Sequence, residues 1–290
     1  LPAAENAIAD VLGDQMFNYG GFFAQYFEQR PEANQYNVLA ELQIDESTNL
    51  FDRCYRTLYA GALADLQDIT SRTTNKSDLF ACAVLRAYAF QLLVDNLDQV
   101  PYTEALQGSS NPTPKWDNGV DVFKGILDEL DAAEAALSGE SMTLTDPLLG
   151  KDTDRWRGFA NALRLRIYLR LIDGNVDAAT YQTKALALAN ANNFFAGDVM
   201  WDVYSNAEGQ YNPWYGTRFS LGTANHVAAF PLVSYYLATD DPRLSYAILP
   251  NEAQGVYVGQ LPGSKTKMGS WADDWKNKDV SSINYQPAIA

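Results

Sequence analysis

Apolar side chains recur every three or four positions over residues 152–173, a spacing that predicts one long α-helix with an apolar face. The apolar positions are Trp156, Phe159, Leu163, Ile167 and Leu171. Asp152 or Thr153 can cap the start of this helix, and Gly174 follows its last periodic residue as a stop signal. At ~1.5 Å per residue the helix is roughly 33 Å long. Trp156 is in register with the apolar face, so we expect it in the core.

Similar spacing predicts several further helices, which we expect to pair into hairpins. Residues 4–29 look helical apart from an interruption predicted at Gly20 and Gly21. The later helices are predicted over residues 47–70, with a cap among Asp45 to Thr48, then over 77–94, with Ser77 as the cap, and over 117–138 and 176–190. This series predicts an all-α fold with little β structure, built from two-helix repeats of about 34 residues with long loops inserted.

The helical spacing is lost after residue 190. Residues 194–219 contain eight aromatic side chains with no helical or strand period, and a short helix is predicted at 231–238. Turns and a short strand are expected over residues 240–264. A second irregular segment, residues 97–116, contains three prolines and is too long to be a simple connection. The pattern therefore predicts a helical scaffold over about 1–192 and a loop-rich aromatic part over about 193–290.

The charge of the chain argues against some classes of partner. The net charge is −15 and the pI is near 4.4, which disfavours binding to nucleic acids and to anionic membrane surfaces. Five of the 21 basic residues lie on the helix predicted at 152–173, so acidic neighbours are expected around it. The candidates are Asp128, Glu129, Asp131 and Glu134, whose alternative role is to form a solvated acidic face.

Cysteine and histidine are too few for several kinds of site. Cys54 and Cys82 would lie roughly 18 Å apart in the predicted hairpin, too far for a disulfide, so we expect two buried free thiols. His226 is the single histidine, which excludes a metal site built from several histidines, and we expect it in a loop or at a helix cap. No cofactor is predicted. The many Asp residues are compatible with a structural calcium ion, although no D-x-D-x-D-G loop is present.

Targeting signals are also missing from the sequence given. It contains no run of 18 apolar residues, and its first ten residues lack the pattern of a secretory signal. We expect a soluble segment whose targeting signal lies upstream.

The order of several motifs resembles a known family. These motifs are Asp98-Gln99-Val100-Pro101-Tyr102-Thr103-Glu104-Ala105-Leu106, then Asp146 with Leu149-Gly150, then Asp154-Arg155-Trp156 through Ala160-Asn161-Ala162-Leu163-Arg164-Leu165-Arg166, then Asp240-Asp241-Pro242-Arg243-Leu244, and finally Tyr257-Val258-Gly259 and Leu261-Pro262-Gly263. In order and spacing they are similar to the SusD-like (SusD/RagB) outer-membrane lipoproteins of Bacteroidetes, over about residues 47–263. Asp98 and Gln99 depart from the family pattern, which has Gly and Asp at these positions.

The resemblance implies a single SusD-like domain over residues 1–290, with tetratricopeptide-like helix hairpins and irregular ligand-facing loops. Family members are about twice as long and begin with a lipidated cysteine, so this chain resembles a truncated member. The resemblance further implies a lipid anchor on the extracellular face of the outer membrane and a SusC-like TonB-dependent transporter as partner. The implied role is to capture an oligosaccharide for uptake without cleaving it; related proteins also take peptides.

Sugar rings bind to flat aromatic side chains edged by polar groups, which points to two candidate regions. The first comprises Trp201, Tyr204, Tyr211, Trp214, Tyr215 and Trp271, with the alternative that these rings fill the core beneath the loops. The second comprises Asn96, Asp98 and Tyr102, with the alternative that they only form a helix terminus.

Two other functional classes remain open at this point. A glycoside hydrolase would need two carboxylates about 5 to 10 Å apart, for which the adjacent pairs Asp240-Asp241 and Asp273-Asp274 are poor candidates. A helical-repeat protein that binds other proteins or peptides fits residues 1–190 but leaves the aromatic loops unexplained. We therefore expect a glycan-binding protein that is not an enzyme.

Overall fold

The computed structural model describes residues 1–45, 48–220, 225–264 and 276–284, without the side chains of 218–220. The chain forms two compact units. Unit 1 comprises Leu1–Val11 and Phe51–Trp201, and unit 2 comprises Leu12–Leu50 and Asp202–Ala290. The predicted boundary near residue 192 lies close to the end of unit 1, but residues 12–50 join the C-terminal part.

The fold is mainly helical, as predicted. In chain order the α-helices are α1 (Pro2–Val11), α2 (Phe17–Phe23), α3 (Asn37–Ala40), α4 (Asp52–Arg56), α5 (Ala64–Arg72), α6 (Lys76–Leu97), α7 (Gly119–Ala135), α8 (Thr153–Asp173), α9 (Ala178–Ala191), α10 (Pro213–Ser220), α11 (Phe230–Ala238) and α12 (Arg243–Ala247). Single π-helical segments occur at Leu12–Met16 and Thr57–Leu63, and 3-10 turns at Gly108–Ser110 and Asn277–Asp279. The strands β1 (Phe27–Gln29) and β2 (His226–Ala228) pair antiparallel.

Helix α8 confirms the prediction made from its periodicity. The Asp152 carboxylate caps it by accepting from the backbone N–H groups of Asp154 at 2.9 Å and Arg155 at 3.2 Å. The helix ends at Asp173, one residue before Gly174. Trp156 is fully buried, as expected of a residue on the apolar face.

Acidic side chains of α7 pair with two arginines of α8, as the charge pattern indicates. The Arg164 guanidinium is nearly buried and contacts Asp131 at 3.0 Å and Glu134 at 2.8 Å. Arg157 lies 3.6 Å from Glu134. Glu129 instead pairs with Arg86 of α6 at 2.9 Å, so only part of the predicted acidic set faces α8.

Helix α6 is the apolar centre of unit 1. It is long and apolar enough to cross a membrane, but 78% of its most apolar stretch of 18 residues is buried inside the protein, which is typical of a core helix. Its cap is Asn75, whose side chain accepts from Asp78 N–H at 3.0 Å, so the predicted cap at Ser77 is wrong by two residues. The buried Asp78 carboxylate also accepts from the backbone N–H groups of Thr143 and Leu144, and thereby fixes the loop before α8.

A buried hydrogen-bond centre at Asp146 holds the start of α8. The carboxylate accepts from the N–H groups of Leu149 and Lys151 and from the indole Nε1–H of Trp156, each at 2.8 Å. Glu5 of α1 is also buried, and burial together with the neighbouring Asp146 charge raises its pKa to about 8. The Glu5 side chain is therefore protonated at neutral pH.

The segment before α6 begins later than predicted. Helix α4 starts at Asp52 after Phe51, which makes no side-chain cap, so the predicted start at residue 47 with a cap among Asp45 to Thr48 is wrong. Cys54 and Cys82 are both buried and no disulfide joins them, which confirms the prediction of two buried thiols. Burial raises the pKa of the Cys82 thiol to about 12, so it stays protonated and unreactive.

Helix α2 runs through the glycine pair that was predicted to interrupt it. A π-helical segment precedes α2, and the chain leaves the helix only after Phe23. A Cβ atom on Gly21 would lie 1.8 Å from Cζ of Phe27, so Gly21 allows the ring of Phe27 to pack against the helix. The helix therefore continues through Gly21, whose missing side chain leaves room for the Phe27 ring.

His226 occupies a buried strand, and the predicted loop or cap position is wrong. It pairs with Gln29 across β1 and β2 and is 1% exposed. Its ring packs beside Tyr36 at 4.8 Å and Trp214 at 4.6 Å. Burial lowers the pKa of His226 to about 3, so it remains neutral at physiological pH.

The C-terminal region contains more helix than its sequence pattern suggests. Helix α10 forms where no period was predicted, and α12 forms where turns were predicted, whereas α11 confirms the predicted short helix. Within the described part of the chain, the strand expected over residues 240–264 is replaced by isolated bridges such as Ala229 with Gln260.

Candidate functional site

An exposed turn at residues 202–212 carries two of the aromatic side chains predicted to face a ligand. The N–H of Ser205 donates to the carbonyl of Gln210 at 2.8 Å, and the Ser205 hydroxyl donates to Gln210 Oε1 at 2.6 Å. This pairing closes the turn and brings Tyr204 and Tyr211 to its two ends. The residues between these tyrosines are all exposed.

The two tyrosines combine aromatic surface with neighbouring polar groups. Tyr204 and Tyr211 are half-buried, and the Tyr211 ring packs 5.5 Å from that of Tyr215. Asn206 and Gln210 present exposed amide side chains in the turn between them. Rings edged by amides suit a ligand with apolar faces and hydroxyl groups, as a sugar has.

Trp214 and Tyr215 were also predicted to face a ligand, but both lie in the core of unit 2. Each is 8% exposed and belongs to a buried cluster with Phe22 and Phe27. The Trp214 ring stacks on that of Phe27 with centroids 5.1 Å apart. Rings buried in this way support the loop instead of offering a surface, so we leave them out of the candidate site.

Trp201 lies at the end of unit 1 and is half-buried. Its indole Nε1–H is buried and finds no hydrogen-bond acceptor among the described residues. A buried donor without an acceptor is uncommon in folded proteins. Trp201 therefore remains a predicted ligand-binding residue, with only part of its ring accessible.

The second predicted region contains a shallow depression of about 430 Å³ in unit 1. Its lining residues are Val94, Asp95, Asp98, Gly119, Val120, Phe123 and Arg170. Arg170 pairs with Asp95 at 2.9 Å, and the hydrogen bond from its side chain to Asp95 raises the pKa of the guanidinium. The volume falls within the usual range of ligand pockets, and charged groups at an apolar floor would suit a polar ligand.

Asp98 takes a strained backbone conformation at the edge of this depression. Its φ of 64° and ψ of −60° form a tight turn in which Gln99 N–H donates to the carbonyl of Leu97 at 2.8 Å. This conformation favours glycine, the residue that the resembled family has at this position. Opposite it, a Cβ atom on Gly119 would lie 2.4 Å from the Asp98 carbonyl oxygen.

Asn96 and Tyr102 do not line the depression with Asp98. The Asn96 amide donates to the carbonyl of Leu92 at 2.7 Å while the residue stays exposed. The Tyr102 hydroxyl donates to Glu129 at 2.5 Å, and its ring packs edge-on against Phe90. Tyr102 is therefore fixed against α6 and α7, and the structure does not bring the three predicted residues together.

The loop that carries Tyr102 is held together by carboxylates that sequence reasoning did not single out. Asp117 accepts from the N–H groups of Tyr102 at 3.0 Å and Thr103 at 2.7 Å. Although partial burial raises the pKa of Asp117, these hydrogen bonds outweigh it and lower the pKa overall. Beside Asp117, Trp116 is 58% exposed. No periodicity marks Trp116, which follows Pro112 and Pro114 in an irregular segment, so its exposure could not be predicted.

Of the adjacent Asp pairs considered for catalysis, the structure describes Asp240 and Asp241. The single N–H of Arg243 Nε is shared between the two carboxylate oxygens of Asp241, at 2.9 and 3.1 Å, and hydrogen bonds from Arg243 lower the pKa of Asp241 to about 2. Trp271, Asp273 and Asp274 lie outside the described residues. Among the described residues, no group of three or more His, Cys, Asp or Glu side chains could hold a metal ion.

Comparison with known proteins identifies the family. The profile of the SusD-like family, described as starch-binding and associating with the outer membrane, matches residues 3–285. The chain belongs to the SusD-like family. No curated protein matches the chain in sequence.

Solved structures share the SusD-like fold. A SusD/RagB family protein from Bacteroides thetaiotaomicron VPI-5482 has a TM-score of 0.77 at 21% identity, covering 97% of this chain and 62% of that one. A SusD homologue from Bacteroides vulgatus ATCC 8482 has a TM-score of 0.72 at 20% identity, covering 95% and 56%. A chitin-binding protein has a TM-score of 0.70 at 21% identity, covering 98% and 64%. The chain thus spans 56–64% of the length of these three proteins.

Proposed function

We propose that this chain is the glycan-binding part of an outer-membrane nutrient uptake complex and that it captures an oligosaccharide without cleaving it. The observation that carries the proposal is the match of the starch-binding SusD-like profile to residues 3–285. Similarity in fold to a chitin-binding protein agrees with a carbohydrate ligand. The charge of −15 further disfavours a phosphate-rich ligand.

The ligand-binding surface that we propose is the turn between Tyr204 and Tyr211. The Ser205–Gln210 pairing fixes its shape before a ligand arrives, which reduces the entropy lost on binding. The tyrosine rings supply apolar surface, and the exposed Asn206 amide supplies donors and an acceptor for hydroxyl groups. Trp201, Asn96, Asp98 and Trp271 stay predicted ligand-binding residues outside this turn.

The absence of bond cleavage is part of the proposal. Acid–base hydrolysis of a glycoside needs one carboxyl group with a raised pKa beside a second carboxylate. Asp241 is committed to Arg243 and has a lowered pKa. Among the described residues, the carboxyl groups with raised pKa values are Glu5 and Glu28, at 3% and 4% exposure, and neither can reach a polysaccharide from there.

We propose a SusC-like TonB-dependent transporter as the partner and a lipid anchor on the extracellular face of the outer membrane as the location. The family description, which includes association with the outer membrane, supports both. A protein that binds but does not cleave its ligand contributes to uptake only by passing the ligand onward.

Affinity electrophoresis tests the binding function. The protein is run in native gels that contain amylopectin or glycol chitin, and it should be retarded by at least one of them. The double variant Tyr204→Ala, Tyr211→Ala should lose most of this retardation, because it removes both rings. Leu186→Ala is the matched control, since Leu186 is 65% exposed in unit 1 and its loss should change nothing.

The same proteins also distinguish the competing functions. New reducing ends that vanish in a carboxylate variant would replace the binding role with hydrolysis. If neither polysaccharide retards the unaltered protein, a helical-repeat protein that binds peptides or other proteins becomes the better account.

A further inference from the structure

An exposed aromatic cluster lies in unit 1, whereas the turn at residues 202–212 belongs to unit 2. Trp116 is 58% exposed, and its ring lies nearly parallel to that of Tyr55, with centroids 6.2 Å apart and planes inclined by 15°. The Tyr55 ring in turn packs 4.5 Å from that of Tyr59. A single exposed apolar side chain needs no explanation. The parallel rings of Trp116 and Tyr55, with the half-buried Tyr59 ring tilted by 39° behind Tyr55, form an aromatic group at the surface, which we call the Trp116 cluster.

The backbone on both sides of Trp116 is held in place. Before it, the N–H of Lys115 donates to the Glu104 carboxylate at 3.1 Å. After it, Asp117 and Val100 exchange two backbone hydrogen bonds, at 2.9 and 3.1 Å. The ring is therefore carried by a fixed segment, although its side chain faces solvent. Fixing a ring in this way lowers the entropy that a ligand must overcome on binding.

The tyrosine side of the cluster is also fixed. The Tyr59 hydroxyl donates to the carbonyl of Pro101 at 2.5 Å, and burial raises the pKa of Tyr59. Tyr59 lies in the π-helical segment Thr57–Leu63, and such segments often occur at functional sites because they alter the direction of side chains. The loop of residues 100–106 thus supports the cluster from both sides.

The surroundings of the cluster favour a neutral, hydroxylated ligand. Lys115 and Asp117 flank Trp116 and lie 3.6 Å from each other, so their charges largely cancel. The flanking charges disfavour an apolar partner. An exposed indole face with polar groups beside it matches the apolar face and hydroxyl edge of a pyranose ring.

We propose that the Trp116 cluster is a second carbohydrate-stacking surface, on which one pyranose ring of a bound glycan lies against the exposed face of Trp116 beside Tyr55. This inference rests on the proposed glycan-binding function. In this arrangement the loop of residues 100–106 positions the aromatic rings, and Trp116 contacts the ligand.

Native gels with amylopectin or glycol chitin test the proposal on three variants of the full chain. Trp116→Ala removes the ring and should weaken binding at least about fivefold, a change of ~1 kcal/mol. Trp116→Phe keeps a flat ring and should retain most of the binding. Leu186→Ala controls for the loss of exposed apolar surface in the same unit and should bind as the unaltered protein does. Circular dichroism melting should give all three variants a common Tm, because both side chains are largely exposed.

The outcomes separate this inference from the proposed function. If amylopectin or glycol chitin retards the unaltered protein and Trp116→Ala equally, the inference is wrong and the binding function stands. An equal loss in Leu186→Ala would likewise overturn the inference. If neither polysaccharide retards the unaltered protein, the proposed function and the inference both fail.

Discussion

Replacing Asp146 by Asn tests how much one buried carboxylate contributes to the fold of unit 1. Its Oδ1 accepts from Leu149 N–H, and its Oδ2 accepts from Lys151 N–H and from the Trp156 indole. Asp146 is 5% exposed and Trp156 is fully buried, so water cannot replace these hydrogen bonds. The substitution keeps the side-chain shape but replaces one acceptor oxygen with an amino group.

The expected loss follows from counting donors. With the amide oxygen toward Leu149, the amino group faces two donors, from Lys151 and Trp156. Rotating the amide by 180° restores those two bonds but leaves Leu149 N–H facing the amino group. At least one buried donor is therefore unpaired, and the charge that strengthened the remaining bonds is lost. We expect Asp146→Asn to lower the free energy of unfolding by about 2–4 kcal/mol.

Urea unfolding followed by far-ultraviolet circular dichroism measures this loss, provided that the m value is unchanged between variants. Asp152→Asn is the matched control, because Asp152 caps the same helix from an exposed position and Asn caps equally well. The control should lose less than about 0.5 kcal/mol. A loss below about 1 kcal/mol in Asp146→Asn, or equal losses in both variants, would refute the reasoning.

Three further substitutions test buried charge, backbone strain and close packing. The pKa of Glu5 is about 8 in the folded protein and 4.5 as a free side chain. As pH rises from about 5 to 8, the unfolded state therefore loses this proton before the folded state does, and the free energy of unfolding falls. Glu5→Gln should reduce this fall in the free energy of unfolding by roughly 2–3 kcal/mol, as measured by urea unfolding at each pH. Glu28, whose pKa is also raised, should still contribute a fall in the variant. An unchanged dependence of stability on pH in Glu5→Gln would contradict this prediction. Asp98→Gly should raise the free energy of unfolding by ~1 kcal/mol by relieving its positive φ, whereas a loss of stability would argue against strain there. Gly158→Ala should raise helix propensity yet lower Tm, at a cost of about 1–3 kcal/mol, since its Cβ would lie 2.5 Å from the backbone nitrogen of Phe195; a raised Tm would show that the segment can move away.

The sequence predicts best the features that depend on local periodicity. Helix α8, its cap at Asp152 and the burial of Trp156 all follow from the spacing of apolar residues and the identity of the capping side chain. The pairing of Arg164 with acidic residues of α7 follows from charge, because a buried guanidinium needs a carboxylate partner.

Features that depend on distant contacts could not be predicted in this way. His226 is buried because β2 pairs with β1, almost two hundred residues earlier in the chain, and no local pattern signals that pairing. Gly21 interrupts a helical pattern in sequence but permits the contact with Phe27 in the fold. Trp214 resembles a ligand-facing aromatic in sequence, but a strand and a helix from the N-terminal part of the chain cover it.

The geometry of the candidate site also depends on contacts that a sequence pattern does not reveal. Tyr204 and Tyr211 could be named from composition, but the Ser205–Gln210 pairing that places them at the two ends of one turn depends on loop geometry. Tyr102 could be named from its motif, but the fold uses its hydroxyl to hold Glu129. Trp116 could not be predicted from the sequence, because its exposure in the fold, not a sequence pattern, distinguishes it.

Equilibrium dialysis of the unaltered chain against maltoheptaose and chitohexaose, with the mass of each recovered sugar determined, tests the central claim most directly. The account predicts saturable binding of at least one oligosaccharide and recovery of that oligosaccharide at its original mass. Recovery of shorter products, or no binding of either oligosaccharide, would contradict it.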